Sequence, residues 1–178
     1  MILAALAVAS ATVDVAAQDR AEDLDALFAE LSDPELADPG RVERRIERIW
    51  TRSGSDTVDF LLERGRQALE AGEYLSAVEH LTAATDHAPG FAEGWNLRAT
   101  AFYLMEEYAL SLADIRRTLA LEPRHFGALA GLGLIMEELG RPEDAWAAYR
   151  AAQTLNPHQM NVNAAVERLE LIGIGEAI

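Results

Sequence analysis

The chain repeats itself every 34 residues, and a proline closes each repeat. The closing prolines are Pro89, Pro123 and Pro157. Alignment from them gives repeats 1, 2 and 3 at residues 58–91, 92–125 and 126–157. A period of this length is typical of helical hairpins that stack into a solenoid, because one hairpin alone cannot bury its apolar face. We therefore predict an all-α fold built on three stacked helical hairpins.

One packing pattern recurs in every repeat, with small residues on the first helix between larger apolar ones. The packing positions are Leu61, Gly65, Ala68, Ala77, Leu81 and Ala84 in repeat 1, then Trp95, Ala99, Phe102, Ser111, Ile115 and Thr118, then Leu129, Leu132, Gly133, Met136, Ala145, Tyr149 and Ala152. Gly65, Ala99 and Gly133 share one position, where a small side chain lets two helices approach closely. Gly72 and Gly140 fall between the helices of their hairpins, where a helix end favours a residue with positive φ.

This pattern resembles the tetratricopeptide repeat (TPR) family, in which a bulky, a small and an aromatic residue on the first helix precede alanine, an aromatic and proline. The resemblance covers residues 58–157 and implies a right-handed solenoid of three helical hairpins. It also implies a concave groove lined by first-helix residues that lie off the packing stripe. On the matching positions of this chain these residues are Leu62, Arg66, Leu69, Asn96, Thr100, Tyr103, Ala130, Leu134 and Glu137.

The matching positions combine hydrogen-bond donors with apolar side chains. Arg66, Asn96 and Tyr103 offer donors for a peptide backbone or a carboxylate, and leucines lie beside them. We therefore predict that the groove binds a peptide or protein partner. Some family members grip the C-terminal carboxylate of a chaperone with clustered lysines, arginines and asparagines. Because this chain has no lysine and matches only Arg66 and Asn96, we do not extend the resemblance to chaperone tails.

Apolar stripes at helical spacing flank the repeats on both sides. Residues 18–55 carry two of them, which we interpret as an N-terminal helical cap with one polar face. These stripes are Leu24, Leu27, Phe28 and Leu31, then Val42, Ile46, Ile49 and Trp50. Residues 158–172 predict a C-terminal capping helix, and a flexible tail is expected at 173–178.

The first seventeen residues have the composition of a secretory signal peptide. An apolar run from Ile2 to Val13 precedes small residues that end at Ala17, directly before Gln18. The basic stretch that usually opens a signal is missing, since the first arginine is Arg20. The run is shorter than the roughly 20 residues that cross a bilayer, so a stable transmembrane anchor is the weaker interpretation. We predict export to the periplasm, and a cytoplasmic location if residues 1–17 form an ordinary apolar helix instead.

The charge of the chain restricts its partners. The chain has thirty acidic and fifteen basic residues, which gives a net charge of -15. Such a field repels phosphate backbones and anionic lipid surfaces, so nucleic acid is not an expected partner. The absence of cysteine excludes disulfides, thiolate metal sites, cysteine nucleophiles and a lipid-modified cysteine anchor.

Charged and titratable residues within the repeats are interpreted as solvated. Arg64 and Arg98 occupy a position that the family often fills with leucine, and we expect their stems to cover apolar surface while the guanidinium groups reach water. His125 and His158 each follow a closing proline closely, where exposed turn residues are ordinary. The chain lacks a phosphate-binding glycine loop, a Gly-x-Ser-x-Gly motif and a His-Glu-x-x-His motif. We therefore predict no cofactor, no metal and no catalytic residue.

The leading functional hypothesis is a non-enzymatic scaffold or adaptor of the bacterial cell envelope that binds its partner in the concave groove. Two alternatives stay open. One is an accessory to an envelope enzyme that uses groove carboxylates such as Glu70, Glu93 and Glu137. The other is a cytosolic module that associates with itself through its ends. The sequence assigns neither the partner nor the oligomeric state.

Overall fold

The computed structural model describes residues 23–175, so the predicted signal peptide at 1–17 and the tail residues 176–178 lie outside the described part. Regular structure within that part is entirely helical, which confirms the all-α prediction. The helices are α1 (23–31), α2 (Pro39–Trp50), α3 (Asp56–Glu70), α4 (Tyr74–His87), α5 (Ala92–Leu104), α6 (Tyr108–Leu121), α7 (Phe126–Glu138), α8 (Pro142–Leu155) and α9 (Met160–Leu171). The described chain divides into two compact parts, residues 23–49 and residues 50–175.

The N-terminal part contains the two helices that the apolar stripes predict. All four stripe residues of α1 are buried, and so are Val42 and Ile46 on α2. The Asp38 carboxylate accepts a hydrogen bond from the backbone N–H of Arg41, which satisfies a free donor in the first turn of α2. Arg41 also forms an ion pair with Glu30 at the end of α1.

The second part consists of three helical hairpins and a final helix, as the repeat predicts. The hairpins are α3 with α4, α5 with α6, and α7 with α8. Each hairpin packs against the next through α4 with α5 and α6 with α7, and α9 packs on α8. The second-helix packing positions are buried in all three repeats, with Ala77, Leu81 and Ala84 fully enclosed in the first. One apolar core therefore continues from hairpin to hairpin.

The predicted close approach of helices is confirmed at two glycines. A Cβ atom added at Gly65 would lie 2.5 Å from Cγ of Leu81, and one added at Gly133 would lie 2.4 Å from Cε1 of Tyr149. Real Cβ atoms do not come so close to another side chain, because the atoms would overlap. The glycines thus allow the large second-helix residue of the same hairpin to pack directly on the first-helix backbone.

The turns inside the hairpins use one backbone conformation. Gly72 and Gly140 have φ values of 75° and 66°, as the sequence predicts. The equivalent residue of repeat 2 is Glu106, whose φ is 62°. A residue with a Cβ atom is strained in this left-handed region, because Cβ crowds the following carbonyl oxygen. Repeat 2 therefore holds a strained glutamate where the other repeats have glycine.

We expect Glu106→Gly to raise the free energy of unfolding by about 1 kcal/mol, because glycine adopts the left-handed conformation without that strain. Urea unfolding of the variant and the wild type measures the difference. Glu107→Gly is the matched control, since Glu107 has an ordinary φ of -84° and glycine there only adds freedom to the unfolded chain. Stabilisation by both variants would contradict the interpretation.

The C-terminal helix ends in a hydrogen-bonded turn. The predicted helix at 158–172 is observed as α9, which begins two residues later at Met160. The backbone N–H of Gly173 donates to Glu170, and that of Ile174 donates to Leu169. Ile174 also packs against the apolar cluster between α8 and α9. Gly173 and Ile174, which fall in the segment predicted as a flexible tail, therefore close α9 in the structure.

Candidate peptide-binding groove

The first helices of the three hairpins lie side by side. Helix α5 contacts both α3 and α7, whereas the second helices α4, α6 and α8 do not approach one another to the same extent. The first helices therefore form the inner side of the array. This inner surface is where the resemblance places a groove.

Most of the nine predicted groove residues are accessible on the first helices. Arg66, Thr100 and Leu134 are exposed. Those that are half-buried are Leu69, Asn96, Tyr103, Ala130 and Glu137. Leu62 departs from the prediction, because only 5% of it is exposed and it packs in the same apolar cluster as Ala101 of α5. Its side chain is therefore enclosed in the core and does not face a ligand.

Arg66 is held by carboxylates of its own helix. Its guanidinium lies 2.7 Å from the Glu63 carboxylate and 3.2 Å from that of Glu70. Hydrogen bonds from Arg66 and then from Gln67 lower the pKa of Glu63 below its ordinary value. The positive charge of Arg66 is thus offset locally by two negative charges, so this part of the surface is not a cationic site.

Asn96 belongs to a chain of hydrogen bonds that reaches the core. Its amide donates to Glu93 at 3.3 Å, and the same carboxylate lies 2.9 Å from Nε2 of His125. The backbone N–H of Ala128 donates to Nδ1 of His125, so Nε2 carries the proton and donates to Glu93. The imidazole also stacks on Trp50 with ring centroids 4.2 Å apart. The expectation of an exposed His125 is therefore wrong, since only 3% of the residue is accessible.

Glu137 links the inner surface to the C-terminal helix. Its carboxylate accepts a hydrogen bond of 2.9 Å from the Tyr149 hydroxyl and forms an ion pair of 2.7 Å with Arg168 of α9. Burial raises the pKa of Tyr149 well above its ordinary value, and the hydrogen bond to Glu137 raises it further. Burial also raises the pKa of Tyr103, with smaller contributions from Glu138 and Glu137. Tyr149 therefore remains a neutral donor to Glu137 at physiological pH.

The Tyr149 phenol is expected to make the fold sensitive to strong alkali. The unfolded phenol ionises near pH 10, whereas the folded one stays protonated at higher pH. Since the unfolded state then binds fewer protons than the folded state, the free energy of unfolding falls as the pH rises above about 10. Denaturant unfolding between about pH 9 and 11 measures this decline. It should be smaller in Tyr149→Phe, and an undiminished decline in that variant would contradict the assignment.

The carboxylates named in the accessory-enzyme alternative are all engaged by donors. Glu70 pairs with Arg66, Glu93 with His125, and Glu137 with Arg168. Across residues 23–175, three or more histidine, aspartate or glutamate side chains never come together in a way that would hold a metal ion. None of the helices in this stretch is long and apolar enough to cross a membrane.

An ion pair between α5 and α6 was missed by the sequence interpretation. Arg98 donates from Nε and Nη2 to the two carboxylate oxygens of Asp114, over 2.7 and 2.9 Å. Its Nη1 donates to the hydroxyls of Thr82 and Thr85 on α4. The guanidinium also lies 4.8 Å from the ring centroid of Trp95. The expectation that the Arg98 guanidinium reaches water is therefore wrong, because only 14% of this side chain is accessible.

A signal for this ion pair was present in the repeat alignment. Arg98 and Asp114 of repeat 2 align with Leu132 and Ala148 of repeat 3. The charged residues occur together in one repeat and the apolar residues occur together in another. This paired replacement between repeats 2 and 3 favours a contact between the two positions, although repeat 1 combines Arg64 with His80 there.

Comparison with known proteins decides the family. A TPR repeat-containing protein of Rhizobium etli is 35% identical to this chain over 153 residues, which cover 82% of this chain and 74% of that protein. The chain belongs to the tetratricopeptide repeat family. No protein-family model matches it. This relationship confirms the resemblance to TPR proteins that we inferred from the closing prolines and the small first-helix residues.

Solved TPR domains share the fold. The TPR domain of Arabidopsis OM64 is 24% identical, superposes with a TM-score of 0.62, and matches 64% of this chain and 94% of its own length. The first TPR domain of Spaghetti (RPAP3), bound to the HSP90 peptide SRMEEVD, is 21% identical with a TM-score of 0.63, and matches 66% of this chain and 94% of its own. At these identities the similarity establishes a TPR solenoid fold for this chain.

Proposed function

We propose that this TPR chain is a non-enzymatic protein–protein interaction module that binds an extended peptide segment across the inner surface of α3, α5 and α7. The observation that carries the proposal is the side-by-side arrangement of these three helices, on which the predicted groove residues other than Leu62 are exposed or half-buried. The similar domain of Spaghetti (RPAP3) is bound to a peptide, and this supports the same mode of action here.

The chemistry of the inner surface favours a peptide that is not acidic. Arg66 is already paired with two carboxylates, and Glu93 and Glu137 add further negative charge beside Asn96 and Tyr103. An acidic peptide tail would meet uncompensated repulsion at this surface. We infer a ligand whose backbone bonds to the Asn96 amide and the Tyr103 hydroxyl, and whose apolar side chains contact Leu69 and Leu134.

Affinity capture from an extract of the organism's own cells tests this proposal. The bait is the chain from residue 18 onward, beside the double variant Asn96→Ala/Leu134→Ala. The matched control is Asn161→Ala/Leu171→Ala, which removes the same side-chain types from exposed positions of α9. A partner retained by the wild type and the control, but lost by the groove variant, is the expected result. Equal retention by all three would place the binding site away from the inner surface.

We further propose that residues 1–17 direct export and that the protein works in the periplasm of a bacterial envelope. The support is the apolar run before Ala17 and the small residues at the proposed cleavage site. Mass spectrometry of the protein isolated from its own cells tests this. A mature chain that begins at Gln18 is expected, and an intact N-terminus on cytoplasmic protein would contradict export.

A further inference from the structure

A second surface lies at one edge of the TPR array, where the turns inside the three hairpins come together. We define the turn edge as residues 70–76, 104–110 and 138–144. An open hollow of about 480 Å³ lies here, between the turn of repeat 1 and the end of α5. It is lined by Gly72, Glu73, Tyr74, Leu75, Ser76 and Met105. The hollow has room for a large apolar side chain of another molecule.

Leucines continue this edge beyond the hollow. Leu75 is 71% exposed at the rim, although leucine is usually buried. Leu104 and Leu110 in the turn of repeat 2, and Leu139 in the turn of repeat 3, are also exposed. Four large apolar side chains thus face solvent along one edge, whereas exposed apolar residues of soluble proteins are usually scattered singly.

The turn edge also carries carboxylates that have no cation beside them. Within residues 23–175, Glu73, Glu106, Glu107 and Glu138 take part in no ion pair. The basic residue of the edge, Arg141, is already paired with Asp144 at 2.6 Å. Carboxylates of two neighbouring turns affect the same phenol. Burial raises the pKa of Tyr108, and the negative charges of Glu138 and Glu106 raise it further. The edge is therefore apolar and negatively charged at once.

We propose that the turn edge is a second docking surface, separate from the inner surface, and that it takes a basic amphipathic segment of a partner protein. An apolar side chain of that segment enters the hollow beside Leu75 and Met105. Lysine or arginine side chains on either side of it pair with Glu73, Glu107 and Glu138. The occupant is assigned by complementarity, because a cationic segment with an apolar face satisfies both properties of the edge.

Charge argues against other occupants of the turn edge. A second copy of this chain would bring its own excess of negative charge, from a total of -15, against unpaired carboxylates. Anionic lipid and nucleic acid are repelled for the same reason. A basic segment, in contrast, gains from each unpaired carboxylate of the edge.

The probe for the test is a fluorescein-labelled amphipathic peptide of leucine and lysine, titrated into the protein at low and moderate salt. Leu75→Ser should weaken its affinity about tenfold, since one leucine contact at the hollow is lost. Glu107→Gln/Glu138→Gln should also weaken binding and reduce its dependence on salt. The peptide should perturb the backbone amide NMR signals of the turn edge and leave those of the inner surface unchanged.

Matched variants separate this docking from general attraction between opposite charges. Leu171→Ser and Glu167→Gln alter exposed residues of α9 and should leave the affinity unchanged. A peptide of the same composition with its leucines scattered should bind at least tenfold more weakly. Equal effects of Leu75→Ser and Leu171→Ser, or NMR shifts on α3, α5 and α7 instead, would overturn the proposal. Concentration-dependent self-association that Leu75→Ser abolishes would overturn it as well, because the occupant would then be a second copy.

Discussion

Asp114→Ala is expected to lower the free energy of unfolding by about 3–5 kcal/mol, which is the range for breaking a buried ion pair from one side. Asp114 is 4% exposed, and 14% of the Arg98 side chain is accessible. Removal of the carboxylate leaves the guanidinium enclosed with two threonine hydroxyls and a tryptophan ring but no anion. Thermal unfolding should show a melting temperature lower by about 10 °C or more.

The second variant in this test copies repeat 3. Arg98→Leu/Asp114→Ala installs the residues that the chain itself uses at the aligned positions, Leu132 and Ala148. Replacement of both charges by apolar groups removes the unpaired ion, so the double variant should be within about 1 kcal/mol of the wild type. The surface variant Arg66→Ala is the control, because exposed ion pairs contribute about 1 kcal/mol or less. A double variant as unstable as Asp114→Ala would show that the pair is not the source of the loss.

Gly133→Ala is expected to lower the free energy of unfolding by about 1–3 kcal/mol, as overpacking does in a dense core. The new methyl carbon would overlap the ring of Tyr149. That ring cannot yield easily, because it is buried and its hydroxyl is bonded to Glu137. The expected loss persists although alanine favours the helix more than glycine does.

Gly131→Ala, two residues earlier on α7, is the matched control for this substitution. Its added methyl carbon would lie 3.6 Å from Cδ1 of Ile115, which is an ordinary contact. The variant should therefore be as stable as the wild type, or more stable by up to about 1 kcal/mol. Denaturant unfolding of the two variants in parallel gives the comparison. Equal stability of both would show that helix propensity, and not close approach, decides the choice of glycine.

The hairpins could be predicted from the sequence because their determinants are local and repeated. Two kinds of glycine recur at a fixed distance before a closing proline. They are the first-helix glycines Gly65 and Gly133 and the turn glycines Gly72 and Gly140. The burial of Ala77 and Leu81 follows from the same alignment. A helix with such a stripe must bury it against another helix, so the pattern predicts that stacked hairpins form.

The polar interior could not be predicted in the same way, because each buried polar residue needs a partner on another helix. Arg98 needs Asp114 sixteen residues later, and His125 is buried by Trp50 and Glu93. Charged residues and turn histidines are usually solvated, so a rule that treats each residue singly assigns them to the surface. Leu62 shows the opposite error, since the residue at this groove position of the family is buried here in an apolar cluster.

The ion pair of repeat 2 also bears on how the chain avoids misfolding. The three hairpins share one packing pattern, so α8 offers α5 a surface of the same type as that of α6. Docking on α8 would place Arg98 opposite Ala148, and the guanidinium would be enclosed without an anion at a cost of several kcal/mol. Only α6 supplies the carboxylate. The charge pair thus selects α6 over α8 as the partner of α5. Apolar residues at the aligned positions of every repeat would not make this distinction.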